Sequence, residues 1–95
     1  MADIFTVIWS KRVSKQLDRL PPAVELKFHA WVDLIELIGL RAVRRSHGLH
    51  DEPLQGVRFG QRSVRLNKAY RVIYIEVDGI NAELIEVIEV NKHDY

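Results

Sequence analysis

The sequence predicts an α+β fold: an N-terminal strand, a two-helix hairpin and an antiparallel meander of three to four strands, with the helices on one face of the sheet. Apolar side chains recur every three to four residues over positions 11–39, which is typical of amphipathic helices. They alternate over much of positions 63–90, which is typical of strands. With 95 residues, the chain is expected to form one domain, residues 1–95.

The N-terminal half predicts one strand and two helices. Residues 3–9 are mostly apolar and favour a strand. Ser10 is a good N-cap for a helix over residues 11–20, and the two prolines that follow end this helix and begin the next. The second helix is predicted over residues 23–39. Its large apolar side chains are expected to be buried beneath the sheet: Phe28, Trp31, Leu34 and Ile38.

The C-terminal half predicts a meander. Residues 41–56 have no clear period and either prolong the second helix or form a loop. In residues 63–66 apolar and polar side chains alternate, which predicts a strand with one solvent-exposed face. Residues 70–77 favour a strand buried on both faces. Asp78-Gly79 predicts a hairpin turn before a strand over residues 82–90. Alternation places on one face of that strand Leu84, Glu86, Ile88 and Val90.

Composition excludes several classes of protein. No run of about 18 apolar residues is present, so a membrane span is not expected. The N-terminus carries Asp3 and no basic segment before an apolar one, which argues against a secretory signal. Without cysteine, the described sequence has no disulfide, thiolate nucleophile or Cys-ligated zinc. We therefore expect a cytoplasmic protein.

Charge is distributed unevenly along the chain. Residues 41–71 hold eight Arg or Lys residues against Asp51 and Glu52, which is a net charge of +6. Residues 72–95 hold one Lys against six acidic residues, a net charge of −5. The basic stretch is a candidate polyanion-binding surface, and its Arg58 and Arg62 are candidate substrate contacts. The alternative is a solvated basic face without a partner.

Four ionisable residues near the ends of predicted elements form a candidate site for RNA cleavage. Arg65 and Arg71 lie on neighbouring antiparallel strands, where both can contact one anion. If the last strand pairs with residues 70–77, its end brings His93 towards Arg71. Together with Glu52 these groups suffice for metal-free cleavage: the substrate's 2′-hydroxyl attacks, a base takes its proton, cations stabilise the phosphorane and an acid protonates the leaving oxygen.

Two simpler interpretations stay open. In one, Arg71 simply pairs with a carboxylate carried by a strand, such as Glu76 or Glu86. His47 and His50, three residues apart, suit a metal site on a helical turn, but the loop offers little further support. The sequence is therefore predicted to need no metal and no cofactor.

A motif extends through the basic stretch. Residues 51–74 read DEPLQGVRFGQRSVRLNKAYRVIY, and the chain ends in NKHDY. With Glu52-Pro53-Leu54, Gly60, Ser63-x-Arg65 and Arg71-x-x-Tyr74 at these spacings, the sequence resembles the RelE/ParE superfamily of bacterial toxins. It is most similar to the YoeB-like mRNA interferases. The resemblance covers nearly the whole chain, although the helices match only in type.

The resemblance implies a role for each matching residue. Glu52 is the general base, Arg71 stabilises the transition-state phosphate, and His93 is the general acid. Arg65 binds phosphate, and Tyr95 orients or stacks on the substrate. Unlike YoeB-like members, which have an aromatic residue directly after the histidine, this chain has Asp94 between His93 and Tyr95.

The resemblance also implies a function and partners. The first hypothesis is the toxin of a type II toxin–antitoxin system, a ribosome-dependent mRNA endonuclease that is neutralised by a cognate antitoxin. Its partners would be that antitoxin, the ribosome and mRNA. The alternative is a ParE-like inhibitor of DNA gyrase, which shares the fold but needs no acid and base. A third possibility is an RNA-binding module that uses the basic face.

Overall fold

The computed structural model of the protein describes residues 3–78 and 83–92, and the side chains of all of these except His47. The elements in chain order are β1 (Val7–Trp9), α1 (Lys11–Asp18), α2 (Pro22–Ile38), α3 (Leu40–Arg44), β2 (Glu52–Pro53), β3 (Arg62–Arg65), β4 (Tyr70–Asp78) and β5 (Glu83–Lys92). This order confirms the α+β prediction. Gly79 of the expected Asp78-Gly79 turn lies outside the described residues.

In the part of the chain that the structure describes, five strands form one sheet in the order β1-β5-β4-β3-β2. Strands β2 to β5 are antiparallel neighbours, so the predicted meander is confirmed with four strands. Strand β1 pairs in parallel with β5, placing Val7 opposite Ile85. The sheet is therefore mixed rather than wholly antiparallel, because a strand at the start of the chain pairs with the last one.

The N-terminal strand is shorter than the predicted residues 3–9. A carboxylate oxygen of Asp3, Oδ1, accepts hydrogen bonds from the backbone N–H groups of Ile4 (2.8 Å) and Arg41 (3.1 Å). The Leu40 N–H donates to the Ile4 carbonyl at 2.8 Å. Desolvation acts to raise the pKa of Asp3, but the backbone hydrogen bonds outweigh it and the pKa is lowered. These contacts tie Asp3 and Ile4 to the start of α3 instead of to the sheet.

The helices begin and end near the predicted residues. Ser10 is the N-cap of α1, and its hydroxyl accepts a hydrogen bond from the Val13 N–H at 3.4 Å. Gly39 separates α2 from α3 with a φ of +90°, and a Cβ there would overlap the Asp3 carboxylate. The stretch after residue 40 thus holds both a short helix and a loop. None of the helices in residues 3–78 and 83–92 has the length and apolar character needed to cross a bilayer.

The core lies between the helices and one face of the sheet. Phe28 and Trp31 are 0% and 1% exposed, which confirms their predicted burial. Leu34 and Ile38 are 41% and 47% exposed, so the prediction was wrong for these two residues. They lie on the flank of α2, beside the stripe that faces the core. That stripe consists of Val24, Phe28, Trp31, Val32 and Ile35.

A β-bulge changes which side chains of β5 face the core. Tyr74 pairs with Val87, whereas the preceding residue Ile73 pairs with Glu89, so Ile88 is an extra residue in β5. Strict alternation, which grouped Val90 with Ile88, was therefore wrong beyond Val87. One inserted residue moves every later side chain to the other face. Val90 consequently lies in the core with Val87.

Candidate active site on the open face of the sheet

The face of the sheet opposite the helices carries a cleft of about 310 Å³. A 3₁₀ turn at Gly56–Arg58 lies on one side of the cleft, and the start of β4 and the end of β5 lie on the other. Its lining includes Leu54, Arg58, Ser63, Arg71, Glu89 and Asn91. Most carry polar or charged groups, so the cleft suits a polar ligand.

Two arginines lie directly opposite each other beside this cleft. Arg65 of β3 pairs in register with Arg71 of β4, so both side chains project from the open face. Arg71 Nη1 donates a hydrogen bond to the Ser63 hydroxyl at 2.8 Å. Arg65 Nε is buried and has no hydrogen-bond partner within the described part of the chain. Like charges at opposite positions repel, and a bound anion would relieve this repulsion.

Glu52 provides a carboxylate at the edge of the same site. It lies on the short edge strand β2, opposite Ser63 of β3. Its Oε1 is 3.9 Å from Nη1 of Arg71, and its side chain is 60% exposed while that of Arg71 is 16% exposed. The pair is loose, and the carboxylate remains open to a ligand or to water.

Arg58 reaches into the cleft from the 3₁₀ turn. Its guanidinium donates to Gln61 Oε1 and to Glu89 Oε1, each at 3.0 Å. The Asn91 amide donates to the other oxygen of Glu89. The bulge in β5 is what places Glu89 and Asn91 on this face, because it reverses the alternation after Val87. Glu89 therefore orients Arg58 towards the cleft.

A second polar cluster lies on the helix side of the same strands. Its centre is Asp51, whose side chain is only 1% exposed. Asp51 Oδ1 accepts from Arg62 Nε at 2.6 Å, and Oδ2 accepts from the Tyr74 hydroxyl at 2.5 Å. Arg44 Nε donates to the Tyr74 oxygen at 3.2 Å. These four residues, the Asp51 cluster, join the loop before β2 to α3, β3 and β4.

The cluster changes the protonation of its members. Burial raises the pKa of Tyr74 well above its usual 10.0, and the neighbouring Asp51 carboxylate raises it further. Burial acts to lower the pKa of Arg44, but its hydrogen bond to Tyr74 and the negative charges of Glu76 and Asp51 together outweigh this effect, and the pKa is raised. Asp51 directly precedes Glu52, so the cluster also holds the chain that carries the exposed carboxylate.

We expect the protein to lose stability as the pH rises above about 10, because the folded state keeps Tyr74 protonated while the unfolded state releases its proton. The stabilisation from Tyr74 is fully present below the pKa that this tyrosine has in the unfolded chain. It is lost as the pH rises towards the higher pKa that Tyr74 has in the folded protein. Urea midpoints between about pH 7 and 11 measure this loss, which should be smaller in Tyr74→Phe. Tyr70→Phe, at the half-buried start of β4, should behave like the wild type. Equal pH slopes in all three proteins would contradict the assignment.

Comparison with known proteins identifies the fold. No protein-family model matches the sequence, and no curated protein matches it by sequence. The YoeB/ParE toxin from Agrobacterium tumefaciens superimposes with a TM-score of 0.64 at 22% identity, over 94% of this chain and 99% of that one. YafQ from E. coli gives 0.70 at 19% identity, over 92% and 91%. A chain of the toxin–antitoxin complex RelBE2 from Mycobacterium tuberculosis gives 0.66 at 20%, over 95% and 99%.

The chain has the fold of the RelE/YoeB toxins. Of the residues that the sequence singled out, Arg58 and Arg71 line the cleft. Arg65 lies opposite Arg71 in register, and the Glu52 carboxylate is 3.9 Å from the Arg71 guanidinium. Arg62 lies apart from them, because its guanidinium binds the buried Asp51 on the helix side. His93 and Tyr95 lie outside the described residues.

The structure also bears on the two simpler interpretations of the sequence, an ion pair of Arg71 with a strand carboxylate and a metal site at His47 and His50. Arg71 has Glu52 rather than Glu76 as its nearest carboxylate, since Glu76 pairs with Arg44 at 3.1 Å. His50 is exposed, and the Asp51 carboxylate beside it is already paired with the guanidinium groups of Arg62 and Arg44. No group of three or more potential metal ligands lies together within residues 3–78 and 83–92, where the His47 side chain is not described.

Two residues that position the side chains around the cleft, Asp51 and Glu89, were not singled out from the sequence. Asp51 had a signal, because an isolated acidic pair in a stretch of net charge +6 is a natural partner for its arginines. Glu89 had none, because alternation placed it on the core face and only the bulge turns it to the cleft. Arg62 was named from the sequence but assigned to the substrate, although alternation groups it with Val64 rather than with Arg65.

Proposed function

We propose that this protein is the toxin of a type II toxin–antitoxin system and that it cleaves mRNA in the ribosome without a metal ion. The observation that carries this proposal is the opposition of Arg65 and Arg71 beside an exposed carboxylate, Glu52. Two guanidinium groups and a carboxylate supply a phosphate site and a base in one place. The likeness of the fold to RelE, YoeB and YafQ supports the same function.

The proposed reaction uses the substrate's own nucleophile. Glu52 takes the proton of the ribose 2′-hydroxyl, and the 2′-oxygen attacks the adjacent phosphorus. Arg65 and Arg71 balance the charge that the phosphorane gains. The bond from phosphorus to the 5′-oxygen then breaks, and His93 donates a proton to that oxygen. The products are a 2′,3′-cyclic phosphate and a 5′-hydroxyl end.

His93 enters this scheme from the sequence resemblance and from the register of the last strand pair. Asn91 lies opposite Arg71, and Lys92 lies opposite Tyr70. His93 is the next residue in the sequence. A general acid is needed on the far side of the phosphate from the base, and this end of β5 borders the cleft.

The proposed partners are a cognate antitoxin, the ribosome and mRNA, and the proposed compartment is the cytoplasm. The solved structures include a YoeB–YefM complex from Staphylococcus aureus and an archaeal RelE–RelB complex from Pyrococcus horikoshii. We propose by analogy that residues 1–95 act as one domain that an antitoxin covers. Its net positive cleft suits an acidic antitoxin segment or an RNA backbone.

The test is primer extension on an mRNA in programmed ribosomes, with growth arrest as the cellular readout. We expect the wild type to cut the mRNA, and Glu52→Gln and His93→Gln each to slow cutting about a hundred-fold. Glu36→Gln changes an exposed carboxylate on α2 and should leave the rate unchanged. The double variant His47→Gln, His50→Gln should also cut normally.

Three outcomes would overturn the proposal. Growth arrest without mRNA cutting, with gyrase trapped on DNA, would favour the ParE-like alternative. Binding of RNA without any cleavage would leave only an RNA-binding module. Loss of cutting in the double histidine variant, restored by added divalent metal, would replace the metal-free mechanism.

A further inference from the structure

Two large apolar side chains are presented to solvent beside the cleft. Val57 is 104% exposed and Phe59 is 81% exposed. Between them in the sequence, Arg58 turns the opposite way and reaches Glu89 in the cleft. The turn thus places a cation in the polar cleft and an aromatic ring outside it, within three consecutive residues. A side chain the size of phenylalanine at such exposure suggests a ligand surface.

This exposure is built into the backbone of the turn. The N–H groups of Phe59 and Gln61 donate to the carbonyls of Gly56 (3.1 Å) and Arg58 (3.0 Å). The Leu54 N–H donates to the Gln61 carbonyl at 2.9 Å and closes the loop at its base. Gly60 has a φ of +95°, which a residue with a side chain adopts only under strain. The ring of Phe59 is therefore held away from the core by main-chain geometry.

Phe59 borders a second hollow, of about 240 Å³, at the β2 edge of the sheet. Pro53 and Leu54 add further apolar surface, and Gln55 and Gln61 add carboxamides. Leu54 lies in the wall of both this hollow and the cleft, so the two adjoin. A lining of apolar side chains and carboxamides matches a flat heteroaromatic base with hydrogen-bonding edges.

The charged groups of the hollow are already paired. Arg62 binds Asp51, and Glu76 lies 3.1 Å from Arg44. The cations of the adjoining cleft, Arg71 and Arg58, lie on the other side of Leu54. The hollow therefore suits the uncharged part of a nucleotide, while the cleft suits its phosphate.

We propose that Phe59 stacks on a base of single-stranded RNA whose neighbouring phosphate lies in the cleft. This inference rests on the proposed function, because it takes the substrate of the cleft to be RNA. It adds a subsite that selects for an unpaired base, since only an unstacked base offers its face to the ring. Phe59 is then a binding residue and takes no part in proton transfer.

The test measures binding of a fluorescein-labelled, single-stranded RNA with 2′-O-methyl riboses, which removes the nucleophile, at one fixed salt concentration. Fluorescence anisotropy should show about ten-fold weaker binding for Phe59→Ala and unchanged or tighter binding for Phe59→Trp. Leu26→Ala, which truncates a side chain 73% exposed on α2, is the matched control and should bind normally. A series of RNAs, each lacking the base at a different position, locates the stacked base. When the missing base is the one that stacks on Phe59, the wild type and Phe59→Ala should bind equally well, and at all other positions Phe59→Ala should bind more weakly.

The outcomes separate this proposal from the one it rests on. If the wild type neither binds nor cuts RNA, both fall. If Arg71→Ala weakens binding and Phe59→Ala does not, the stacking proposal alone falls. It also falls if Phe59→Leu binds like the wild type, because an aliphatic side chain does not stack. Normal RNA binding by Phe59→Ala with weakened ribosome binding would contradict stacking on the substrate and assign the ring to a contact with the ribosome itself.

Discussion

Replacing Arg71 with alanine is expected to slow mRNA cleavage by about a hundred- to a thousand-fold while the protein stays folded. The side chain of Arg71 is 16% exposed and its guanidinium is fixed by a hydrogen bond to Ser63, so it meets the phosphate without reorganisation. Its removal also relieves the repulsion from Arg65, its register partner, which offsets the lost hydrogen bond. We therefore expect a large effect on rate and a small one on stability.

The rate is measured by single-turnover cleavage in programmed ribosomes, and folding by urea unfolding. Lys68→Ala removes the same charge from the exposed connection between β3 and β4 and should cut at close to the wild-type rate. Arg71→Lys keeps the charge but loses the planar fork, and should recover only part of the rate. Cleavage by Arg71→Ala at the wild-type rate would remove Arg71 from the mechanism.

Replacing Asp51 with alanine is expected to lower the free energy of unfolding by about 3–5 kcal/mol. The carboxylate is 1% exposed and is bound by Arg62 and Tyr74, so its loss leaves a partly buried guanidinium and a buried hydroxyl without their acceptor. A domain of this size has little stability to spare. Asp51→Ala should therefore be partly unfolded at 37 °C.

Chemical denaturation with urea measures this change, and Asp51→Asn should lose less because the amide keeps one acceptor. Glu52→Gln is the matched control, since the adjacent carboxylate is 60% exposed and its pair with Arg71 is loose. Equal losses for the two residues would show that burial of Asp51 does not stabilise the fold. The cleavage rate of Asp51→Asn is then compared with that of the wild type under conditions where the variant is fully folded. Any slower cleavage measures how much the Asp51 cluster contributes to positioning Glu52.

Charge along the sequence proved a poor guide to charge in space. The stretch of net charge +6 and the following stretch of net charge −5 are neighbours in the sheet. Arg58 binds Glu89, and Arg44 lies against Glu76, so each takes its partner from the acidic segment. The charge available to a polyanion is concentrated around Arg65 and Arg71, where two cations face each other. Within residues 3–78 and 83–92, the carboxylate paired with Arg71 is the loosely held Glu52.

The sequence by itself determined the two main helices, the last three strands and the opposition of the two arginines. Ser10, the two prolines and Gly39 set the helix boundaries through local backbone preferences, and alternation placed Arg65 and Arg71 on neighbouring strands. These features depend on residues a few positions apart. Only the tertiary structure decided the parallel pairing of β1 with β5, the bulge that turns Glu89 into the cleft, and the burial of Asp51. Each of these depends on contacts between segments far apart in the chain, whose energies no local pattern encodes.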